Sequence, residues 1–382
     1  MTARSNLLTS FGYILSVLCI SACLNACRTE VPVITPEQEQ RGTRDTTPIL
    51  GFYLLNEGNM GSNKATLDYY DFQQAAYHRN IYAQANPNVP KELGDVGNDI
   101  QIYGNRLYAV INCSNKVEVM DAATCRRIGQ VDIPNCRYIR FKDQYAYVTS
   151  YAGPVSLDKS HAQIGYVARF DTATLELIDR CLVGYQPDEL AVVGDRLYVA
   201  NSGGYMVPDY DSTLSVIDLN SFTEIKRITV AKNLHRVRLD NHGQLWVTAR
   251  GDYFDEPSRL YCIDPTTDQV IDKLPVGAAN LSVVGDTLYC FSSDFSYYTY
   301  TDSVVFSTVN TLTHAVSGLA LQMPHIAKPY GLAVHPITRD IYLTDAKDYV
   351  SPGTLHCFAP DGTLRWSVTT GDIPAHITFL RQ

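Results

Sequence analysis

Seven positions, one per recurring unit of the chain, hold most of the side chains able to do chemistry: Asp99, Tyr138, Glu189, Arg236, Asn280, Gly331 and His376. Each stands first in a four-residue string, DIQI, YIRF, ELAV, RVRL, NLSV, GLAV or HITF, whose second and fourth letters are apolar. In an extended strand those two letters enter a core, and the first and third point the other way. The third letters are Gln101, Arg140, Ala191, Arg238, Ser282, Ala333 and Thr378. Acids, guanidiniums, an amide, a phenol and an imidazole on one ring suit a large polar ligand with many donors and acceptors. A metal cage would concentrate carboxylates or histidines, so no metal is expected. Glu189, Arg236 and His376 could divide acid, anion-binding and base roles in a lyase or hydrolase. No Ser-His-Asp order, HExxH or phosphate loop accompanies them, and a polar, inert pore would look the same. Binding without catalysis, and without a cofactor, is the expectation.

The elements that must carry this column repeat every 40–55 residues or so. Two legible copies are RLYVANSGGYMVPDYDSTLSVIDLNSFTEIKRITV (196–230) and QLWVTARGDYFDEPSRLYCIDPTTDQVIDKLPV (244–276). Each copy reads as four short strands with period-two alternation. An aromatic anchors the second strand of every unit: Tyr53, Tyr108, Tyr147, Tyr198, Trp246, Tyr289 and Tyr342. One four-stranded sheet cannot bury both faces alone, so the units must stack radially. The expectation is an all-β, seven-bladed β-propeller. The first unit opens on GFYLLNEG, with no innermost strand before it, whereas PAHITFL (374–380) has that pattern and no blade after it. The C-terminal strand is therefore expected to complete the first blade within a single domain, residues 49–382.

Blade topology sends the connections between strands two and three, and between blades, to one face. The remaining turns, such as GDR, NHGQ and PDG, are minimal and go to the other face. The first set includes NEGNMGSNKA, NSGGYMVPDYDST, ARGDYFDEPS, SSDFSYYTYTDS and DAKDYVSPG, long and rich in Tyr, Asp, Asn and Gly. Long loops on a rigid scaffold usually carry recognition. The ligand residues expected there are Asn59, Asn63, Tyr205, Arg250, Tyr253, Phe254, Tyr297 and Tyr330, joined by Arg236 and His376 from the column. The acidic strings DYD (209–211) and DYFDE (252–256) lack EF-hand spacing and read as solvated loop acids.

Net charge is −9 with no basic stripe, which argues against nucleic acid and anionic membrane surfaces as partners. Near the N-terminus, Arg4 precedes an apolar run ending in small residues and cysteine (11–27), short for a membrane span. It resembles a bacterial lipoprotein signal, with Cys27 the expected lipidated residue and Cys23 the alternative. Residues 28–48 are rich in Pro, Gln, Thr and charge, and read as a flexible tether. Seven further cysteines remain; Cys113 and Cys136 either bridge neighbouring connections or serve, like the rest, as small buried hydrophobes.

Tyr198-Val-Ala-Asn201 followed by VID (216–218) resembles the YVTN/YncE-type propeller repeats, over essentially residues 51–380. With the lipoprotein start, NEGNMGSNKATLDYYD (56–71) is similar to surface lipoproteins of Bacteroides-type bacteria, among them the BtuG group that captures vitamin B12. That resemblance implies an outer-membrane, cell-surface lipoprotein binding a corrinoid (cobalamin) and passing it to a TonB-dependent transporter of the BtuB type. A glycan- or protein-binding propeller of another outer-membrane complex is the alternative.

Overall fold

The computed structural model describes residues 38–89, 93–296, 301–323 and 326–382, and for 294–296 and 301–302 the backbone only. The chain begins with β1 (Gln38–Gln40), β2 (Ile49–Asn56), β3 (Thr66–Asp71) and β4 (Ala76–His78), then the short helix α1 (Ile81–Ala85). The second blade is β5 (Gly97–Tyr103), β6 (Arg106–Ile111), β7 (Lys116–Asp121) and β8 (Arg127–Asp132). The third is β9 (Cys136–Lys142), β10 (Tyr145–Ser150), β11 (Ile164–Asp171) and β12 (Leu177–Tyr185). The fourth is β13 (Pro187–Val193), β14 (Arg196–Asn201), β15 (Thr213–Asp218) and β16 (Thr223–Thr229). The fifth is β17 (Leu234–Leu239), β18 (Leu245–Ala249), β19 (Arg259–Asp264) and β20 (Gln269–Leu274). The sixth is β21 (Asn280–Val284), β22 (Thr287–Ser296), β23 (Thr301–Asn310) and β24 (Val316–Gly318). The seventh is β25 (Pro329–Val334), β26 (Ile341–Asp345), β27 (Pro352–Phe358) and β28 (Leu364–Asp372), and β29 (Pro374–Arg381) ends the chain.

Seven antiparallel sheets result, and β29 pairs with β2 as the innermost strand of the first. The ring is a seven-bladed propeller closed by its C-terminal strand, as the strand arithmetic requires. Pairing of β29 runs from Ile49 opposite Arg381 to Asn56 opposite Pro374, so closure is a full ladder and not a tip contact. The aromatic anchors explain why the blades stack. Six are buried, while Tyr289 is half-buried. Their polar tips reach other units: the Tyr53 hydroxyl donates to the Ala122 carbonyl at 2.7 Å, and that of Tyr198 to Asp268 at 2.8 Å. At these two positions a ring fills the inter-blade core while its donor is satisfied at the edge.

The tether expectation needs a correction at its C-terminal end. Residues 38–40 add a fifth strand to the first blade, pairing with β4. The chain then runs beneath Tyr70, whose hydroxyl donates to the Arg41 carbonyl at 2.5 Å. Because β4 is only three residues long, its outer edge is free to accept this polar strand, which periodicity in QEQ could not announce. Residues 1–37, including Cys23 and Cys27, lie outside the described residues. All seven described cysteines are free; Cys136 Sγ faces the Lys116 carbonyl at 3.3 Å and forms no bridge with Cys113.

Candidate functional site

A cavity of about 420 Å³ opens at the end of the pore where the long connections emerge. Its walls come mainly from the first residues of the innermost strands, the connections that lead into them, and the loops between strands two and three. The innermost strands explain its chemistry. Six of the seven carry a register shift near their start, for instance between Leu234 and Val237, Pro187 and Leu190, and Pro329 and Leu332. A bulge sets two residues opposite one and re-aims a side chain. The amide freed by the kink is satisfied from the neighbouring strand: Thr149, Thr248 and Thr344 hydroxyls accept from Tyr138, Arg236 and Gly331 N–H at 3.0, 2.9 and 2.6 Å. Six of the seven residues that precede the expected column positions border the cavity, all but Asp188, and Ala279 does so without a bulge in its strand. Asn98, Arg137, His235, Ala279, Tyr330 and Ala375 line it.

The expected ring consequently divides. Tyr138 and Arg236 line the cavity, whereas Asp99, Glu189, Asn280, Gly331 and His376 do not. Asp99 and Glu189 are ties between blades. Asp99 accepts from Ile139 N–H at 3.1 Å and Arg140 at 2.9 Å. Glu189 accepts from Val237 N–H at 3.0 Å and pairs with both Arg140 and Arg238. Burial acts to raise the Glu189 carboxyl, but Arg238, Arg140 and Arg236 overcome it and hold it at about 2. A carboxylate so held keeps no proton to donate near neutral pH, so the acid role considered for Glu189 is corrected to a structural one. Asn280 donates to the Tyr330 carbonyl at 3.0 Å. His376 lies within 3.2 Å of Glu57 and edge-on to Tyr138, just below the cavity.

Among the expected loop residues, Tyr205, Arg250, Tyr253 and Tyr330 line the cavity. Gln186 accepts from the Tyr205 amide at 2.8 Å and fixes that loop over the rim. The Arg250 loop turns at Gly251, φ 71°, where a Cβ would meet the Glu256 carbonyl at 1.9 Å. Asp252 then accepts from the amides of Phe254, Asp255 and Glu256, so that acid caps a turn; Asp211 does likewise for Ser212 and Thr213. Phe254 is half exposed and stands away from the cavity wall. Asn59 and Asn63 are corrected: Asn59 donates to the Tyr349 carbonyl, and Asn63 sits in a left-handed turn (φ 55°) whose amide bonds Asp95. Both brace the loop. The cavity residue of that string is Glu57, held by backbone bonds to Ile373 and Gly97 and accepting from the Tyr330 hydroxyl at 2.9 Å. Tyr297 lies outside the described residues.

Sequence reasoning missed Arg137, His235, Asp188 and Tyr151, which with Arg236 and Arg250 form the polar floor. Buried Asp188 accepts from the Tyr151 hydroxyl at 2.7 Å and from Arg250 at 3.2 Å. Arg137 stacks over the Tyr151 ring at 4.7 Å, and Arg236 over the Tyr138 ring at 5.2 Å. Burial depresses His235 well below the ordinary imidazole value, and Arg250, Arg236, Arg137 and His376 add to it, so the ring is neutral. Burial pushes Tyr138 up to about 12 against the pull of Arg236. A second cavity of about 720 Å³ shares Arg137 and Tyr205 with the first; Met60, Pro134, Ala152, Pro154 and Val155 give it apolar surface beside the amides Asn112, Asn115, Asn135 and Gln163. Among the described residues no cluster of His, Cys, Asp or Glu could hold a metal, and no helix is long and apolar enough to cross a membrane.

Fold and site define a seven-bladed propeller with a polar pocket at one pore mouth. A family model described as a domain of unknown function (DUF5074) matches residues 50–354, and the chain belongs to that family. No functionally curated protein matches the sequence. Among solved structures it is similar to hydrazine synthase of Kuenenia stuttgartiensis, 15% identical over 75% of this chain and 95% of that one, TM-score 0.61. It is also similar to a quinoprotein alcohol dehydrogenase-like protein of Bacteroides thetaiotaomicron, 13% identical over 87% and 78%, TM-score 0.60. The Pan2 WD40 domain of Neurospora crassa is 11% identical over 73% and 81%, TM-score 0.51. These likenesses carry the propeller fold.

Proposed function

We propose that this protein is an outer-membrane, cell-surface lipoprotein that captures a corrinoid at the decorated pore mouth and hands it to a TonB-dependent transporter. The observation that carries this is the paired cavity: a polar pocket with donors from several blades, bordered through the shared Arg137 and Tyr205 by a larger, more apolar shelf. Cavities of about 420 and 720 Å³ fall in the usual range for small-molecule sites, roughly 300–1,000 Å³. A corrinoid is too large for the pocket alone but matches the combination. Its peripheral amides need many hydrogen-bonding groups, and its ring edges need apolar and aromatic cover from Met60, Val155, Tyr205 and Tyr349. The bulges and threonine hydroxyls preform these walls, which lowers the ordering cost of binding. The likeness of the N-terminal run and the Asn-Glu-Gly-Asn string to vitamin B12-capturing lipoproteins supports the same ligand. Cobalamin would be cargo and not a cofactor, and the protein would act without a catalytic step. The exposed rings of Tyr205 and Tyr349 also suit stacking against sugars, which keeps a glycan-binding module as the second reading. Calorimetric titration of the full chain with cyanocobalamin and with oligosaccharides separates them. Saturable heat with cyanocobalamin at micromolar concentration is expected, and heats equal to dilution would remove the corrinoid reading.

A further inference from the structure

We infer that the pocket floor is a dedicated site for an anionic oxygen group, a phosphate diester or carboxylate, gripped by Arg137, Arg236 and His235. The inference rests on the reading of this pocket as the ligand site and adds the chemistry of one part of the ligand. It follows from the balance of donors and acceptors. Arg236 is 7% exposed, and its guanidinium makes no ion pair and no side-chain hydrogen bond among the described residues. Its nearest acids are committed elsewhere: Glu189 to Arg140 and Arg238, Asp99 to Arg140. Arg137 Nε is likewise buried without a hydrogen-bond partner, at 3.7 Å from Asp188, whose oxygens already accept from Tyr151 and Arg250. His235, 8% exposed, meets the Tyr138 hydroxyl through Nε2 at 3.1 Å, and its Nδ1 has no partner. In the tautomer where the Tyr138 hydroxyl donates to Nε2, the neutral ring carries its proton on Nδ1 and supplies a third buried donor.

Three polar groups of the floor lack a hydrogen-bond partner, and of the two guanidiniums only that of Arg137 has a carboxylate, Asp188, within ion-pair distance. Burying a guanidinium without an acceptor is costly, so the missing partner is an acceptor, and a charged one suits two guanidiniums best. Tyr138 and Tyr151 lie under the two forks, and both arginines line the cavity. That is the geometry in which arginine takes carboxylate or phosphate oxygens two at a time. The cavity-lining carboxylate Glu57 is already engaged by Tyr330 and His376. In a corrinoid the group would be the phosphodiester of the nucleotide loop, with the remainder lying toward the apolar shelf.

The test titrates the full chain with inorganic phosphate, acetate, cyanocobalamin and cobinamide, which lacks the phosphodiester. Saturable phosphate binding is expected, weakened about tenfold or more in Arg236→Gln and Arg137→Gln, the loss of one charge-assisted pair. Arg236→Lys should recover part of it. Lys142→Gln, which removes an equal charge on the opposite face, should change nothing, and melting curves confirm that the variants fold. Acetate binding more tightly than phosphate would make the group a carboxylate. Cobinamide binding at least about tenfold more weakly than cyanocobalamin supports both readings. Phosphate binding without cyanocobalamin binding sinks the corrinoid reading and leaves the anion site. No saturable binding of either anion, or binding indifferent to Arg236→Gln and Arg137→Gln, overturns the anion site even if both corrinoids bind.

Discussion

Arg236 and Arg238 lie two residues apart on β17, point toward the same pore, and have opposite circumstances. Arg238 pairs with Glu189, which also holds Arg140 and, through it, Asp99. Arg236 has a tyrosine ring beneath it and no carboxylate within ion-pair distance. One bulge separates the two situations. Below it Asp99, Arg140, Glu189 and Arg238 form a network that ties neighbouring blades; above it Asp188 answers Arg250 and Arg236 is left with no carboxylate. Buried charge in a propeller pore is therefore not by itself a sign of function. The sign is buried charge that the fold itself leaves unanswered.

The comparison can be broken at several depths. Deleting residues 374–382 removes the ladder that closes the ring, and the expected result is loss of the cooperative unfolding transition in circular dichroism. Glu189→Gln should come next. It strands Arg238 and leaves Arg140 with Asp99 alone, and urea denaturation should report a loss of about 3–5 kcal/mol. Arg236→Gln, by contrast, should cost little without ligand, or even stabilise. Equal losses from the two variants would erase the distinction drawn here. The same network sets an acid limit. Because the folded carboxyl sits at about 2, below its ordinary 4.5, the contribution is complete above that ordinary value. It is lost as pH falls from 4.5 through about 2, and Glu189→Gln should flatten stability over that interval. Thr248→Val takes the acceptor from the Arg236 amide at the bulge, with an expected cost of about 1–3 kcal/mol in the same denaturation assay. The smallest effect is chemical: of the seven described thiols only Cys113 is partly exposed, so a thiol reagent should label it first in the native state.

Much of this architecture was legible in the residues. Period-two strings and seven aromatic anchors announced the blades, and the orphan strand PAHITFL announced the closure. The decorated face was legible too, since antiparallel order alone assigns the long loops to one end. The cavity wall was not, because strict alternation placed Arg137 and His235 in the core. Bulges moved that register by one residue, and their only trace in sequence is the threonine at 149, 248 and 344 on the adjacent strand. The Asn-Glu-Gly-Asn string offers Asn59 and Asn63 as ligand residues, yet Gly58, φ 72°, follows a Glu57 whose backbone bonds Ile373 and Gly97, and the acid is the member that lines the cavity. Strand β1 had no signal at all, since three polar residues acquire an extended form only through the edge they meet.

The central claim is that the decorated pore mouth is where the cargo sits. A crystal structure of the full chain grown with cyanocobalamin tests it most directly. The account predicts ligand density spanning the two cavities, with an anionic oxygen between Arg137 and Arg236. Density on the minimal-turn face, or at the mouth with both guanidiniums left untouched, would contradict it.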